Sequence, residues 1–264
     1  MTRGCSTAEL MAVLLARDLR DGERGAAGAS AAVPMAAMLL ARATHAPNID
    51  IAGEMFVNPH PRRLWNSMLD DRALGTCEAT ETFVELFGHS HRGLDFFFHS
   101  GLQYDAYGNV NLHHVGGTFD RPVMRGPGAA NVSYAVTSRR FYICALQHSR
   151  RNFVPRVDFV TVPGHLRGAE SRRRAGLTQE GPRYCITPLC VFDFDPDTFR
   201  MRLKSIHAGH TLDEVRAATG FEFLQPVEVP MTPPPSAEEL EILRQVVDPD
   251  GYLGRLDREP PRQA

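Results

Sequence analysis

Residues 101–111, GLQYDAYGNVN, place Gln103, Asp105, Asn109 and Asn111 around Gly108, directly behind the apolar run LDFFFHS. A surface turn needs one or two turn formers. This stretch holds enough for a turn and a group of hydrogen-bonding side chains beside it. A second candidate is the glycine loop Gly126-Pro127-Gly128-Ala129-Ala130-Asn131, ahead of an expected helix. It has neither the dinucleotide fingerprint nor a P-loop. Its glycines suit a tight helix entry, and equally a turn that aims backbone N–H groups at an oxyanion or phosphate. The third is Glu54, which ends the apolar stretch NIDIAG instead of lying on a helix face. Ligands of open parallel sheets bind beyond the carboxyl ends of strands, and all three features fall at such ends.

The elements that position them are legible in outline. Ser6-x-x-Glu9 is a capping box that opens a helix, with Gly22 beyond its end. GERGAAGASAAVP has no readable period. PMAAMLLARATHAP is a helix bounded by Pro34 and Pro47, and NIDIAG is a short buried strand. Residues 57–95 read as two short helices and loops around Trp65 and TETFVELF. LDFFF, FYICAL, VDFVTVPG and YCITPLCVFDFD read as strands, with a hairpin turning at Asp195-Pro-Asp-Thr. TLDEVRAATG is a helix stopped by Gly220, and Ser236-x-x-Glu239 caps another through Val247. Strands alternating with helices give an α/β class: a mainly parallel open sheet flanked by helices, with a C-terminal hairpin and helices. A single domain over 1–250 is expected, followed by a polar tail, 251–264.

Composition narrows the function. A formal net charge of −2 gives no footing for nucleic acid or an anionic membrane. The arginines at 150–151 and 172–174 read as solvated surface, and so do Arg139-Arg140. Cys5, Cys77, Cys144, Cys185 and Cys190 are odd in number and lack C-x-x-C spacing, which suits reduced thiols in the cytoplasm. His113-His114 and HSH at 89–91 have no neighbouring ligand set, so no metal is expected. Glu9, Arg17 and Asp18 interrupt the first apolar patch at helical spacing, unlike a signal peptide. No run approaches the roughly 18 apolar residues of a membrane span.

GLQYDAYGNVN, RGPGAAN, ALQHSRRNFVPRVDFVTVPGH, GPRYCITPLCVFDFD and HAGHTLDEVRAATGFEF resemble the beta subunits of family I CoA-transferases. The likeness runs from about residue 8 to 250 and is densest over 101–223. It extends to the beta subunit of glutaconate CoA-transferase and to that of the CoA-ester ring-opening hydrolase of bacterial steroid breakdown. It implies the CoA-transferase fold, an alpha-subunit partner in a heterodimer or heterotetramer, coenzyme A as co-substrate and no permanently bound cofactor. It implies an acyl-CoA pocket shaped by Gln103, Asp105, Gly108, Asn109 and Asn111, with the loop Gly126, Gly128, Ala129 and Asn131. It also implies that Glu54, in register after Ala46-Pro47-Asn48, is the nucleophile. Two departures stand out. Pro127 and Ala129 replace Ser and Gly of the family loop, and Met55-Phe56 follow Glu54 where the family has small residues. Transfer through a glutamyl-CoA thioester, hydrolysis or C–C cleavage relying on a partner glutamate, and a noncatalytic completing role all remain open.

Overall fold

The computed structural model describes residues 4–28, 31–53, 55–61, 63–64, 71–88, 92–129 and 132–257. They form two compact units, Met1–Phe98 with Pro233–Ala264, and His99–Thr232. Among these residues no helix is long and apolar enough to cross a membrane.

The first unit opens with α1 (Thr7–Ala16), β1 (Arg24–Ala26), α2 (Ala32–Ala43), β2 (Asp50–Ala52), β3 (Phe56–Val57), β4 (Ala79–Thr80), α3 (Phe83–Gly88) and β5 (Phe96–His99). The expected capping box is present: Ser6 Oγ accepts Glu9 N–H, and the Glu9 carboxylate accepts Ser6 N–H. α2 is buried along most of its length, and Ala36, Ala37 and Met38 have no exposed surface. β1 lies between β2 and β5 and runs parallel to both, while β3 and β4 extend the β2 edge antiparallel.

Propensity gives no reading of β1, because Arg-Gly-Ala contains nothing β-branched. Packing explains it. A Cβ on Gly25 would stand 2.1 Å from the Phe96 ring, so the aromatic of β5 occupies the space that a side chain on β1 would need. Trp65 lies outside the described residues.

The second unit contains β6 (Gln103–Tyr104), β7 (Val110–Asn111), β8 (His114–Gly117), β9 (Pro122–Arg125), α4 (Val132–Thr137), β10 (Arg140–Cys144), α5 (Ala169–Arg174), β11 (Gly181–Ile186), β12 (Cys190–Phe194), β13 (Met201–Ile206) and α6 (Leu212–Ala218). β10 and β11 are parallel; β12 and β13 continue the sheet antiparallel. Asp195 Oδ1 accepts the Thr198 N–H and hydroxyl at 2.8 Å each, closing the expected turn before β13. β6–β7 and β8–β9 are separate antiparallel pairs.

Two expectations fail here. VDFVTVPG is not a strand: it meets β7 at one bridge, Val162 to Val110, and otherwise runs irregularly. Val157 and Val162 are buried there, whereas Val160 is exposed. Arg140 and Arg172 are buried, not solvated: Arg140 Nε donates to Tyr142 OH and Arg172 to the Gln179 carbonyl, each at 2.8 Å.

The chain then returns to the first unit through α7 (Ala237–Ile242), a π turn at Leu243–Val247 and α8 (Tyr252–Leu256). The stretch read as a polar tail therefore begins with a helix. Asp248 caps it through the Tyr252 and Leu253 N–H groups at 2.8 Å each, and Leu253 is buried. Arg244 grips Glu9 at 2.6 Å, and Asp257 accepts the Thr7 N–H at 2.6 Å, tying both chain ends together. Burial alone would raise the Glu9 pKa. The Arg244 and Ser6 hydrogen bonds outweigh it and hold the carboxylate below its ordinary range.

Buried histidines stitch the second unit. His148 joins Thr187 and Thr219 at 3.0 Å each, while His207 joins Thr232 at 2.8 Å and the Thr187 carbonyl at 2.9 Å. Burial pushes His148, His165 and His207 down to about 4, and His99 to about 3.

Gly25→Ala is expected to destabilise by about 2 kcal/mol or more through overpacking against Phe96, read from the urea midpoint. The four histidines are neutral in the fold, whereas the unfolded chain takes up their protons near the usual pH of about 6.5. Stability is therefore complete above that pH and falls progressively as pH drops toward about 4. Urea midpoints at stepped pH should trace this loss.

Candidate active site

The amide-rich segment folds into its own hydrogen-bond network. Tyr104 OH accepts the Gly101 N–H at 2.7 Å and donates to the Gly101 carbonyl at 3.0 Å, closing the approach to β6. Asp105 Oδ1 accepts the Tyr107 and Asn109 N–H groups at 3.0 and 3.2 Å, an Asx-type turn. Gly108 sits within it at φ +69°, where a Cβ would also press on Phe194 at 2.7 Å. Gly164 passes so close that its own Cβ would meet the Gly108 carbonyl carbon at 2.3 Å. Two glycines thus let two loops touch through their backbones.

Asn109 reaches across that contact. Its Nδ2 donates to Asp105 Oδ2 and the Leu166 carbonyl at 2.9 Å each. Its Oδ1 accepts the Gly164 and Leu166 N–H groups at 2.9 and 3.1 Å. Leu166 is held at φ +54°, an unfavourable left-handed conformation for leucine, by these bonds on both sides of its peptide. Burial pushes the Asp105 carboxyl above its ordinary range, and the donors from Asn109, Tyr107 and Val157 offset only part of that rise.

Gln103 and Asn111 face each other across β6–β7. Asn111 Nδ2 donates to Gln103 Oε1 at 2.7 Å and to the His114 carbonyl at 2.6 Å. Asp158, not singled out in the sequence, completes the set. Its Oδ2 accepts Gln103 Nε2 at 3.0 Å and Gly116 N–H at 2.8 Å, while its own N–H donates to Gln103 Oε1 at 3.0 Å. The structure therefore brings Gln103, Asp105, Asn109 and Asn111 together, each at most 5% exposed. Their polar atoms bind protein, with little surface left for a ligand. Asp158 lies in the stretch whose composition predicts a strand; the Pro-Gly that ends it is the available sign of a loop.

The glycine loop is committed internally as well. Gly126 N–H donates to the His113 carbonyl at 2.7 Å and Gly128 N–H to the Leu112 carbonyl at 2.8 Å. A Cβ on Gly126 would stand 2.2 Å from Leu112 O, and Gly128 adopts φ +71°. These glycines are explained by close approach and handedness. Of the two readings open for this loop, the Gly126 and Gly128 N–H groups follow the structural one and face the chain. Ala129 is half-buried beside them, and Asn131 lies outside the described residues.

Glu54 also lies outside the described residues, but its flanks do not. Gly53 N–H donates to Phe56 O at 3.0 Å, and Ala52 pairs with Val57, so the chain reverses between β2 and β3. Phe56 is 6% exposed and packs against Ala73 and Cys77. Of the two bulky residues after position 54, only Met55 is outward, 38% exposed. Arg42 at the end of α2 braces the strands, donating to Asn58 Oδ1, Pro59 O and Ile49 O at 2.6, 2.8 and 3.0 Å. Neither Arg42 nor Asn58 was singled out in the sequence.

A cleft of about 710 Å³ adjoins the Asp105–Asn109 turn, a size suited to a small molecule. Tyr107, Val157, Val160 and Leu166 line it with Arg156 and Arg167. Among the described residues no group of His, Cys, Asp and Glu is arranged to hold a metal ion.

No family model matches the chain. It is 31% identical over 242 residues to the beta subunit of 3-oxoadipate CoA-transferase from Pseudomonas knackmussii, covering 90% of this chain and 92% of that one. It is 29% identical over 254 residues to the beta subunit of glutaconate CoA-transferase from Acidaminococcus fermentans, covering 91% and 92%. It is 28% identical over 267 residues to IpdB of the cholesterol ring-cleaving hydrolase from Mycobacterium tuberculosis, covering 94% and 97%. The solved glutaconate coenzyme A-transferase of A. fermentans superposes with a TM-score of 0.85 at 24% identity over 97% and 99% of the chains. The decarboxylase AibA/AibB gives 0.81 at 30% identity over 95% and 98%.

Asn109→Ala strips both bonds from the Leu166 peptide and leaves Asp105 short of a donor. A loss of about 2–3 kcal/mol is expected in urea unfolding. Gln103→Ala should also destabilise, since it removes one bond from Asn111 Nδ2, one from Asp158 Oδ2 and the acceptor of the Asp158 N–H.

Proposed function

This chain belongs to the family I CoA-transferase beta subunits, and on that premise we propose that it is half of a heteromeric enzyme moving CoA between an acyl-CoA and a carboxylic acid. The observation that carries the reading is the nearly full-length likeness to the beta subunits of two transferases. Both are named for dicarboxylic acids, so a short dicarboxylic acyl group is the substrate class proposed here. The partner is an alpha subunit of the same family. Coenzyme A enters as co-substrate, with no cofactor held permanently.

Glu54 is the proposed nucleophile. A carboxylate with a reference pKa of about 4.3 is ionised at neutral pH and needs no base. It adds to the thioester carbon; the C–S bond breaks, leaving an acyl-glutamyl anhydride and CoA thiolate. The thiolate then attacks the glutamyl carbonyl and expels the donor carboxylate, giving a glutamyl-CoA thioester. An acceptor carboxylate attacks that thioester, and the same two steps run in reverse order. Carboxylates are poor nucleophiles toward thioesters, so binding energy from the rest of CoA must be drawn on in the transition state. The inward packing of Phe56 supports this role, because it leaves Met55 as the one bulky outward neighbour.

A second reading is supported by the likeness to ring-cleaving IpdB and by outward Met55. In it the complex hydrolyses or cleaves a CoA ester, and the decisive glutamate belongs to the partner. A chain that only completes its partner's site is the remaining form.

The test uses the chain assembled with its alpha partner, glutaryl-CoA, borohydride trapping and peptide mass spectrometry. Transfer predicts an adduct at residue 54, absent in Glu54→Gln, with turnover falling at least about a thousandfold. Turnover without an adduct, and little changed in Glu54→Gln, would move the assignment to the hydrolytic reading.

A further inference from the structure

The glycine loop keeps the N–H groups of Gly126 and Gly128 for itself, but an imidazole stands beside it. Pro127 has no N–H, and those of Gly126 and Gly128 are bonded to the His113 and Leu112 carbonyls. The His113 ring lies against Phe159 with centroids 4.5 Å apart. Its Nδ1 is 2.7 Å from Thr161 Oγ1. That hydroxyl already accepts the Leu112 N–H at 2.8 Å.

A threonine hydroxyl has one hydrogen to give, and among the described residues His113 Nδ1 is the partner in reach of it. With that hydrogen directed at Nδ1, the hydrogen of the imidazole itself sits on Nε2. Nε2 has no hydrogen-bond partner among the described residues. It lies 3.8 Å from where a Cβ would stand on Gly128, and no other described atom outside the adjoining residues comes within 4 Å of that point. Nε2 thus stands beside the turn of the glycine loop with no hydrogen-bond partner among the described residues.

We propose that His113 Nε2–H is the hydrogen-bond donor this site offers to the carbonyl oxygen of a bound thioester, in place of the Gly126 and Gly128 N–H groups, which are committed elsewhere. The inference rests on the CoA-thioester reading above. As a nucleophile adds to the thioester carbon, the carbonyl π pair moves onto oxygen and the Nε2–H bond to that oxygen shortens. The proton stays on the imidazole. When the C–S bond breaks, the pair returns to the carbonyl and the thiolate departs. A positioned donor of this kind contributes about a hundredfold or more in rate.

The experiment is isotope-edited infrared spectroscopy of glutaryl-CoA, labelled with carbon-13 at its thioester carbonyl and bound to the assembled complex carrying Glu54→Gln. Calorimetry confirms binding. The carbonyl band is expected to move to lower wavenumber on binding. His113→Phe should abolish the shift while keeping the ring on Phe159. His113→Gln, which returns an N–H near the Nε2 position, should restore most of it. Thr161→Val, which releases Nδ1 to carry the hydrogen, should weaken it without touching His113, and serves if His113→Phe does not fold. A native-sized shift in His113→Phe or in Thr161→Val would overturn the assignment, as would no shift in the parent complex. If calorimetry finds no binding, the CoA reading fails and the role of His113 falls with it.

Discussion

The meeting of two loops in the second unit hangs on one side-chain amide, that of Asn109. It is buried, and each of its polar atoms is bonded to a different part of the chain: the Asp105 carboxylate, the Leu166 carbonyl, and the N–H groups of Gly164 and Leu166. A buried amide missing any partner would carry a desolvation penalty of about 1–3 kcal/mol, so its neighbours have little freedom. Gly108 and Gly164 must lack side chains for the loops to meet. Leu166 must accept a left-handed backbone. Asp105 must stay within reach although burial pushes its carboxyl upward.

The same logic repeats at the other end of the segment, where Gln103, Asn111 and Asp158 satisfy one another and Thr161 holds both the Leu112 N–H and the His113 ring. A ligand site is assembled from such a frame by leaving a few groups out of it. The frame uses up the amides of the motif and the N–H groups of Gly126 and Gly128. Among the described residues it leaves His113 Nε2 unbonded at the glycine turn and, beside the Asp105–Asn109 turn, a cleft lined by apolar side chains and two arginines. Polar richness in a motif is therefore evidence of rigidity first and of contact with substrate second.

Structure is legible in the sequence where a local rule decides it. The Ser6–Glu9 and Ser236–Glu239 capping boxes and the Asp195 turn each depend on residues three apart, and all three form. It is hidden where a distant neighbour decides. β1 exists because Phe96 fills the space above Gly25, information carried by a residue 71 positions away. VDFVTVPG has strand composition, yet its Asp158 N–H is taken by the Gln103 side chain and its Thr161 and Val162 N–H groups both meet Val110 O, an irregular path. The family likeness supplied the segment that matters. It did not reveal that the segment's side chains turn inward, since a string of residues carries no direction.

The most direct test of this account is amide hydrogen exchange at Gly116, Asp158, Gly164 and Leu166, the four N–H groups held by Asp158, Gln103 and Asn109, in the assembled complex with and without CoA. If the motif is an internal frame, these amides exchange as slowly as the core of β10 in both states. Fast exchange without CoA that becomes slow with it would mean that the ligand orders the network, and would contradict the claim that the fold alone does.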